Sequence, residues 1–291
     1  MRRLGATRHA PRPMLIQRHS AFTRLWHWIN AICLAILLMS GLQIFNAHPA
    51  LYWGQDSSFD APALSIGAMR TDDGALRGIT RIGDLRFDTT GVLGVSGPLA
   101  DRERRAFPAW ATLPGPRWLS MGRQWHFLAG WAFAPLLVAY LVYLVASGQL
   151  RRRLLPRRDE WPRLGHVVIE HLRLRFPRGE EARHYNLLQK LAYLMVLFVV
   201  APLVVLTGLT MSPTMDAAWP WLLDVFGGRQ SARTLHFLAA AALLAFFVVH
   251  LLLVLVSGVG NNLRSMITGR YALPPDHALP KKKETRDDAS H

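Results

Sequence analysis

The chain has 291 residues, 51% of them hydrophobic, with ten tryptophans and thirteen phenylalanines. The apolar residues gather into four blocks of about twenty, which excludes an ordinary soluble domain and predicts an all-α integral membrane protein. The formal net charge of +15 sits beside those blocks, which reads as membrane anchoring and argues against nucleic acid as a partner. The single cysteine, Cys33, excludes a disulfide framework, a cysteine-ligated iron–sulfur cluster and covalent cofactor attachment through a CxxCH motif.

Residues 1–25 form a polar segment with six arginines and no acid. No short apolar core with a small-residue cleavage site follows, so the sequence predicts an uncleaved anchor in place of a removable signal peptide. The first span, 26–45, is entered through TRLWHWIN. That places His27 about one turn below the inner interface, between Trp26 and Trp28, which are suited to the interfacial aromatic belt. Residues 46–124 are a hydrophilic insertion with nine basic and eight acidic residues. Turn signals fall at Asp72-Asp73-Gly74, Gly97-Pro98 and Pro114-Gly115-Pro116, and a β-like run lies around Ile79–Ile82. Too long for a connector, this stretch is expected to be an irregular periplasmic cap with little helix, on which a partner docks.

The second span, 125–147, opens on His126 and carries Pro135 in its middle. The loop 148–186 holds ten arginines against five acids, a cytoplasmic signature. Its stretch from Leu164 to Phe176 is predicted to lie on the membrane as a surface helix, with His166 and His171 solvated. The third span, 187–211, contains Pro202 and Gly208 and no histidine. After a loop at 212–232 comes the fourth span, 233–257, with His236 near its start and His250 near its end. The tail, 258–291, is polar, ends in KKKETRDDASH and is expected to be disordered. Six basic residues before the first span, ten between the second and third, and six in the tail predict that both termini lie inside; the long insertion is exempt from that rule.

Ionisable side chains within a membrane helix are costly and point to function. Fourteen residues separate His236 from His250, about 21 Å along a helix and within about 40° of one face. By depth, His27 matches His250 on the inner side, and His126 matches His236 on the outer side. Imidazole is a standard axial ligand of haem iron, and two of them give a centre suited to electron transfer. Zinc would need its ligands gathered at one point, which that separation forbids. Arg123 and Arg233 outside, with Arg18 and Arg24 inside, are candidates for pairing haem propionates, ordinary interfacial anchoring being the alternative. Gly41, Gly130 and Gly208 are small enough to let a flat ring approach a helix.

The runs RLWHW at 24–28 and RQWHF at 123–127, the His236/His250 spacing and HYNLLQK at 184–190 resemble the bacterial cytochrome b561 superfamily. The likeness is to di-haem cytochrome b subunits of formate dehydrogenase, nickel–iron hydrogenase and thiosulfate reductase. The resemblance implies a four-helix bundle holding two non-covalent haem b groups, His27 with His250 on the inner one and His126 with His236 on the outer. It also implies a quinone head group at Asn186, Gln189 and Tyr185, and a bacterial inner-membrane location; helix-start polarity is the plainer account of Asn186 and Gln189. The long insertion departs from those subunits and is expected in cytochromes that accompany periplasmic molybdopterin oxidoreductases. Two other readings stay open: a self-contained quinone oxidoreductase acting on a small oxidant such as superoxide, and a transporter whose histidines relay protons.

Overall fold

The computed structural model describes residues 14–98, 102–173 and 185–273. In chain order it contains β1 (Met14–Gln17), α1 (Ala21–Phe45), β2 (Ala50–Leu51), β3 (Leu64–Arg70), β4 (Leu76–Ile82), β5 (Leu85–Asp88), β6 (Gly94–Ser96) and β7 (Glu103–Arg105). Then follow α2 (Leu119–Ala146), α3 (Leu164–Leu172), α4 (Leu187–Met195), α5 (Ala201–Thr210), α6 (Pro213–Ala218), α7 (Pro220–Val225), α8 (Arg229–Val256), α9 (Val259–Thr268) and β8 (Arg270–Leu273). Among the described residues, four helical stretches are long and apolar enough to cross a membrane: α1, α2, Leu187–Thr210 and α8. The tail beyond Leu273 and His184 lie outside the described residues, as does the side chain of His171.

The helix limits have local causes. Ser20 opens α1 by accepting the Thr23 N–H on its Oγ at 3.1 Å, the usual work of an N-cap serine. A π-helical turn at Val196–Val200 joins α4 to α5. It sits just ahead of Pro202, whose missing N–H already interrupts the ladder there, so the span continues with one wider turn. Gly258, at φ +106°, ends α8 in the left-handed conformation that favours glycine.

The described residues divide into two compact units, one drawn from Leu25–Leu155 with Lys190–His250 and the other from the remaining segments. In the second, β1 pairs antiparallel with β8, Met14 opposite Leu273 and Gln17 opposite Arg270. Asn261 of α9 brackets that ladder, donating to the Ala272 carbonyl and accepting the Ala272 N–H, both at 2.9 Å.

In the first unit, Cys33, Phe133, Leu137 and Ala201 form a buried cluster between α1, α2 and α5, with Leu37, Leu197 and Val204 packed on it. Many large apolar side chains of the same helices are exposed, among them Ile32, Leu128, Val138, Phe247 and Val248. A row of this kind, on helices whose charged residues lie only near their first turns, has the bilayer as its natural solvent. Trp26 departs from the belt reading. It stacks on Tyr140 with centroids 3.7 Å apart and donates its indole N–H to the Leu136 carbonyl at 2.9 Å, so it ties α1 to α2.

The insertion expected to be irregular is built on strands. A four-stranded antiparallel sheet runs in the order β2-β3-β4-β5, and β6 pairs with β7. The strands are short, and their burial runs from the exposed β5 to the fully buried β6, so no clean period-2 pattern marks them in the sequence. Their core is Phe45, Leu51, Ile66 and Ala106, completed by Phe107 and by Phe237 from α8. Arg105 is buried with them, and its guanidinium donates to Gln43 Oε1 and Thr112 Oγ1 at 2.7 Å and to the Gly115 carbonyl at 2.8 Å. Without those acceptors its charge would be costly to bury. The start of α8 is stitched to the same cap: Ser231 Oγ accepts the Gly54 N–H at 2.8 Å, and Thr234 Oγ1 donates to the Tyr52 carbonyl at 2.6 Å. The chain runs so close here that a Cβ on Gly228 would lie 2.6 Å from the Gly54 carbonyl oxygen.

Candidate functional site

The four histidines of the spans meet two by two. His126 on α2 and His236 on α8 have ring centroids 6.1 Å apart, with planes at 64°. His27 on α1 and His250 on α8 are 6.4 Å apart, with planes at 55°. One helix therefore contributes to both pairs, about 21 Å apart along its axis.

The hydrogen bonds of the first pair decide which nitrogen carries the proton. Ser40 Oγ lies 3.1 Å from His126 Nδ1, while its own proton goes to the Ile36 carbonyl at 2.5 Å. Thr207 Oγ1 lies 3.2 Å from His236 Nδ1, while its proton goes to the Leu203 carbonyl at 2.6 Å. Each hydroxyl has spent its donor on its own helix, one turn back, so towards the ring it accepts. This arrangement favours the tautomer protonated at Nδ1 in both rings, which keeps the Nε2 lone pair for a ligand. A glycine follows each hydroxyl residue. A Cβ on Gly41 would stand 3.4 Å from His126 Cε1, and one on Gly208 would stand 3.2 Å from His236 Cε1. Glycine at these positions lets each ring edge press against a neighbouring helix. Gly130 has only Leu37 nearby, at an ordinary 3.9 Å.

The second pair is held by aromatic contacts. His27 meets Trp28 edge-on at 5.2 Å, and His250 stacks on Phe246 at 5.8 Å. His27 Nδ1 is buried with no hydrogen-bond partner among the described residues.

Both pairs fit a haem. Imidazole–metal bonds of about 2 Å on opposite sides of one ion set ring centroids a little over about 6 Å apart, and both pairs stand at that separation. Among the described residues no three His, Cys, Asp or Glu side chains gather to hold a metal. Two facing imidazoles suit an iron whose remaining positions come from a macrocycle.

Other predicted residues have visible engagements. Arg233 donates to the carbonyls of Ala50 and His48 and lies over the Phe45 ring, so it fastens the cap. Arg123 is exposed and lies over Phe127. Arg18 lies 4.6 Å over the Tyr271 ring, and Arg24 donates to the Ile267 carbonyl near the end of α9. Asn186 and Gln189 cap α4 reciprocally: Asn186 Oδ1 accepts the Gln189 N–H at 2.9 Å, and Gln189 Oε1 accepts the Asn186 N–H at 3.3 Å. This is a capping box. It uses the two amide oxygens, whereas a quinone carbonyl would call on the NH2 groups. Tyr185, just ahead, is half-buried, and His166 lies on α3.

Sequence reasoning passed over Ser40, Thr207 and His48. The first two had a signal in the Ser-Gly and Thr-Gly dipeptides at 40–41 and 207–208. His48, in the cap, lies 3.1 Å from the Tyr52 hydroxyl through Nε2. Burial, and then the nearby Arg233 charge, hold its imidazole below the ordinary value of 6.5.

The chain matches the prokaryotic cytochrome b561 family over residues 18–269. It is similar to a protein of Azospira oryzae described as a protein-methionine-sulfoxide reductase subunit, YedZ1. The two are 26% identical over 253 residues, covering 86% of this chain and 96% of the relative.

Proposed function

The chain belongs to the prokaryotic cytochrome b561 family, and from that premise we propose a di-haem membrane subunit that carries electrons between a periplasmic redox partner and the quinone pool. The observation that carries the reading is the pairing of His126 with His236 and of His27 with His250, both partly on α8. His126 and His236 would hold the outer haem through Nε2; His27 and His250 would hold the inner one. Bound haem b supplies one-electron transfer, and the residues supply position and potential.

Both termini lie on the cytoplasmic side of the bacterial inner membrane in this reading. The basic segments flanking the spans support it, as does an even number of spans with β1 paired to β8. The partner docks on the cap at 46–124. Its class is a molybdopterin-type oxidoreductase, a reading that the likeness to a reductase subunit supports. Asn186 and Gln189, with Tyr185, offer amide and phenol donors to a quinone carbonyl.

The test is a haem-to-protein ratio with reduced-minus-oxidised spectra on purified protein. Two b-type haems per chain are expected. His126→Ala and His236→Ala should each lose the outer haem and keep the inner, with the converse for His27→Ala and His250→Ala. Wild-type protein without haem, or single variants with unchanged spectra, would overturn the reading.

A further inference from the structure

Two helices that contribute no histidine to the outer pair present it with the same device. On α1, Ser40 and Gly41 meet His126; on α5, Thr207 and Gly208 meet His236. Ser40 and Thr207 are both completely buried. In each case the hydroxyl proton has a carbonyl one turn back to go to, which leaves the oxygen to accept the imidazole Nδ1–H beside the Leu37 and Val204 carbonyls that the two rings also meet. The inner pair lacks this arrangement on at least one side, where His27 Nδ1 is buried without a partner among the described residues.

We infer that Ser40 and Thr207 are positioning residues that fix the tautomer of the outer ligands and lower the midpoint potential of the outer haem. The inference rests on the proposed haem ligation. An acceptor on Nδ1–H adds electron density to the imidazole, which makes Nε2 a stronger donor and favours the oxidised over the reduced iron. It also locks each ring about its χ angles, so Nε2 need not be reoriented when the group binds. The glycine is part of the device, because a side chain there would push the ring away from the hydroxyl.

The experiment is a spectroelectrochemical titration of purified, haem-loaded wild type, Ser40→Ala, Thr207→Val, Thr207→Ser and the Ser40→Ala/Thr207→Val double variant. Haem content is measured in parallel. The expected result is one midpoint raised in Ser40→Ala and in Thr207→Val, further raised in the double variant, with the other midpoint unmoved. A tenfold loss of preference for the oxidised form would read as about 59 mV. Thr207→Ser keeps the hydroxyl and should titrate as wild type. Selective loss of one haem from Thr207→Val, restored in Thr207→Ser, supports the same conclusion through occupancy. Variants that keep both haems with both midpoints unchanged overturn the inference alone, as does an equal shift of both midpoints. Wild type carrying fewer than two haems overturns the ligation reading and this inference with it.

Discussion

One methyl group tests how closely the outer pair is seated. Gly208→Ala places a Cβ 3.2 Å from His236 Cε1, whereas Gly41→Ala leaves 3.4 Å to His126. The His236 ring must therefore yield by a few tenths of an ångström, and the other ring less. Gly208→Ala is expected to weaken outer-haem retention by about tenfold, the lower end for changes around a metal ligand, with Gly41→Ala smaller and the inner haem unaffected. Haem titration of the two variants reads this directly, and equal, wild-type retention in both would show that the rings have slack. The histidines themselves stood out in the sequence because an imidazole in an apolar span is costly. Ser40 and Thr207 did not, because a hydroxyl in a membrane helix ordinarily bonds its own backbone, and only the fold shows that a ring lies on its other side.

At the level of elements, α4 carries two readings of one residue, and they can be separated. Asn186 caps the helix through Oδ1, and the quinone proposal uses its NH2 group. Asn186→Ala should cost about 1 kcal/mol through loss of the cap and also impair quinol-driven haem reduction. Asn186→Asp keeps the capping oxygen and removes the donor. It should melt like wild type yet reduce slowly, as followed by thermal unfolding and by stopped-flow reduction with a quinol. If Asn186→Asp reduces at the wild-type rate, the residue is a cap alone. The four spans were legible as elements because their apolar runs are long enough to leave no other solution. The cap sheet was not. Leu64 and Ile66 find partners at Ile82 and Thr80, and the short β2 pairs with β3 across more than ten intervening residues. Such pairing is set by neighbours that a local pattern does not display.

For the whole molecule, the proposed arrangement has a direction that can be read in sealed spheroplasts with the outer face exposed. A membrane-impermeant oxidant should reoxidise quinol-reduced haem in the wild type. In His126→Ala, which lacks the outer haem, the inner haem should still be reduced by quinol but reoxidise far more slowly. Were His250→Ala the variant that blocked access from outside while His126→Ala did not, the inside and outside assignments would be reversed. The basic flanks made this orientation readable as a sequence expectation, whereas the partner proposed for the cap has no comparable signature, because recognition of that kind depends on a folded surface.

The sharing of α8 between the two histidine pairs also has a consequence in time. Neither pair exists until the last span has left the ribosome, since His236 and His250 are the final members of each. His27 must wait through roughly 220 residues of synthesis, about 10–45 s at bacterial elongation rates of about 5–20 residues per second. Both pairs then complete almost together, fourteen residues apart. A chain that stops short of its fourth span is left with single imidazoles and no pair at all. On the proposed ligation, cofactor loading becomes a late event that requires a chain synthesised through α8, and one terminated before α8 cannot become a half-working electron carrier.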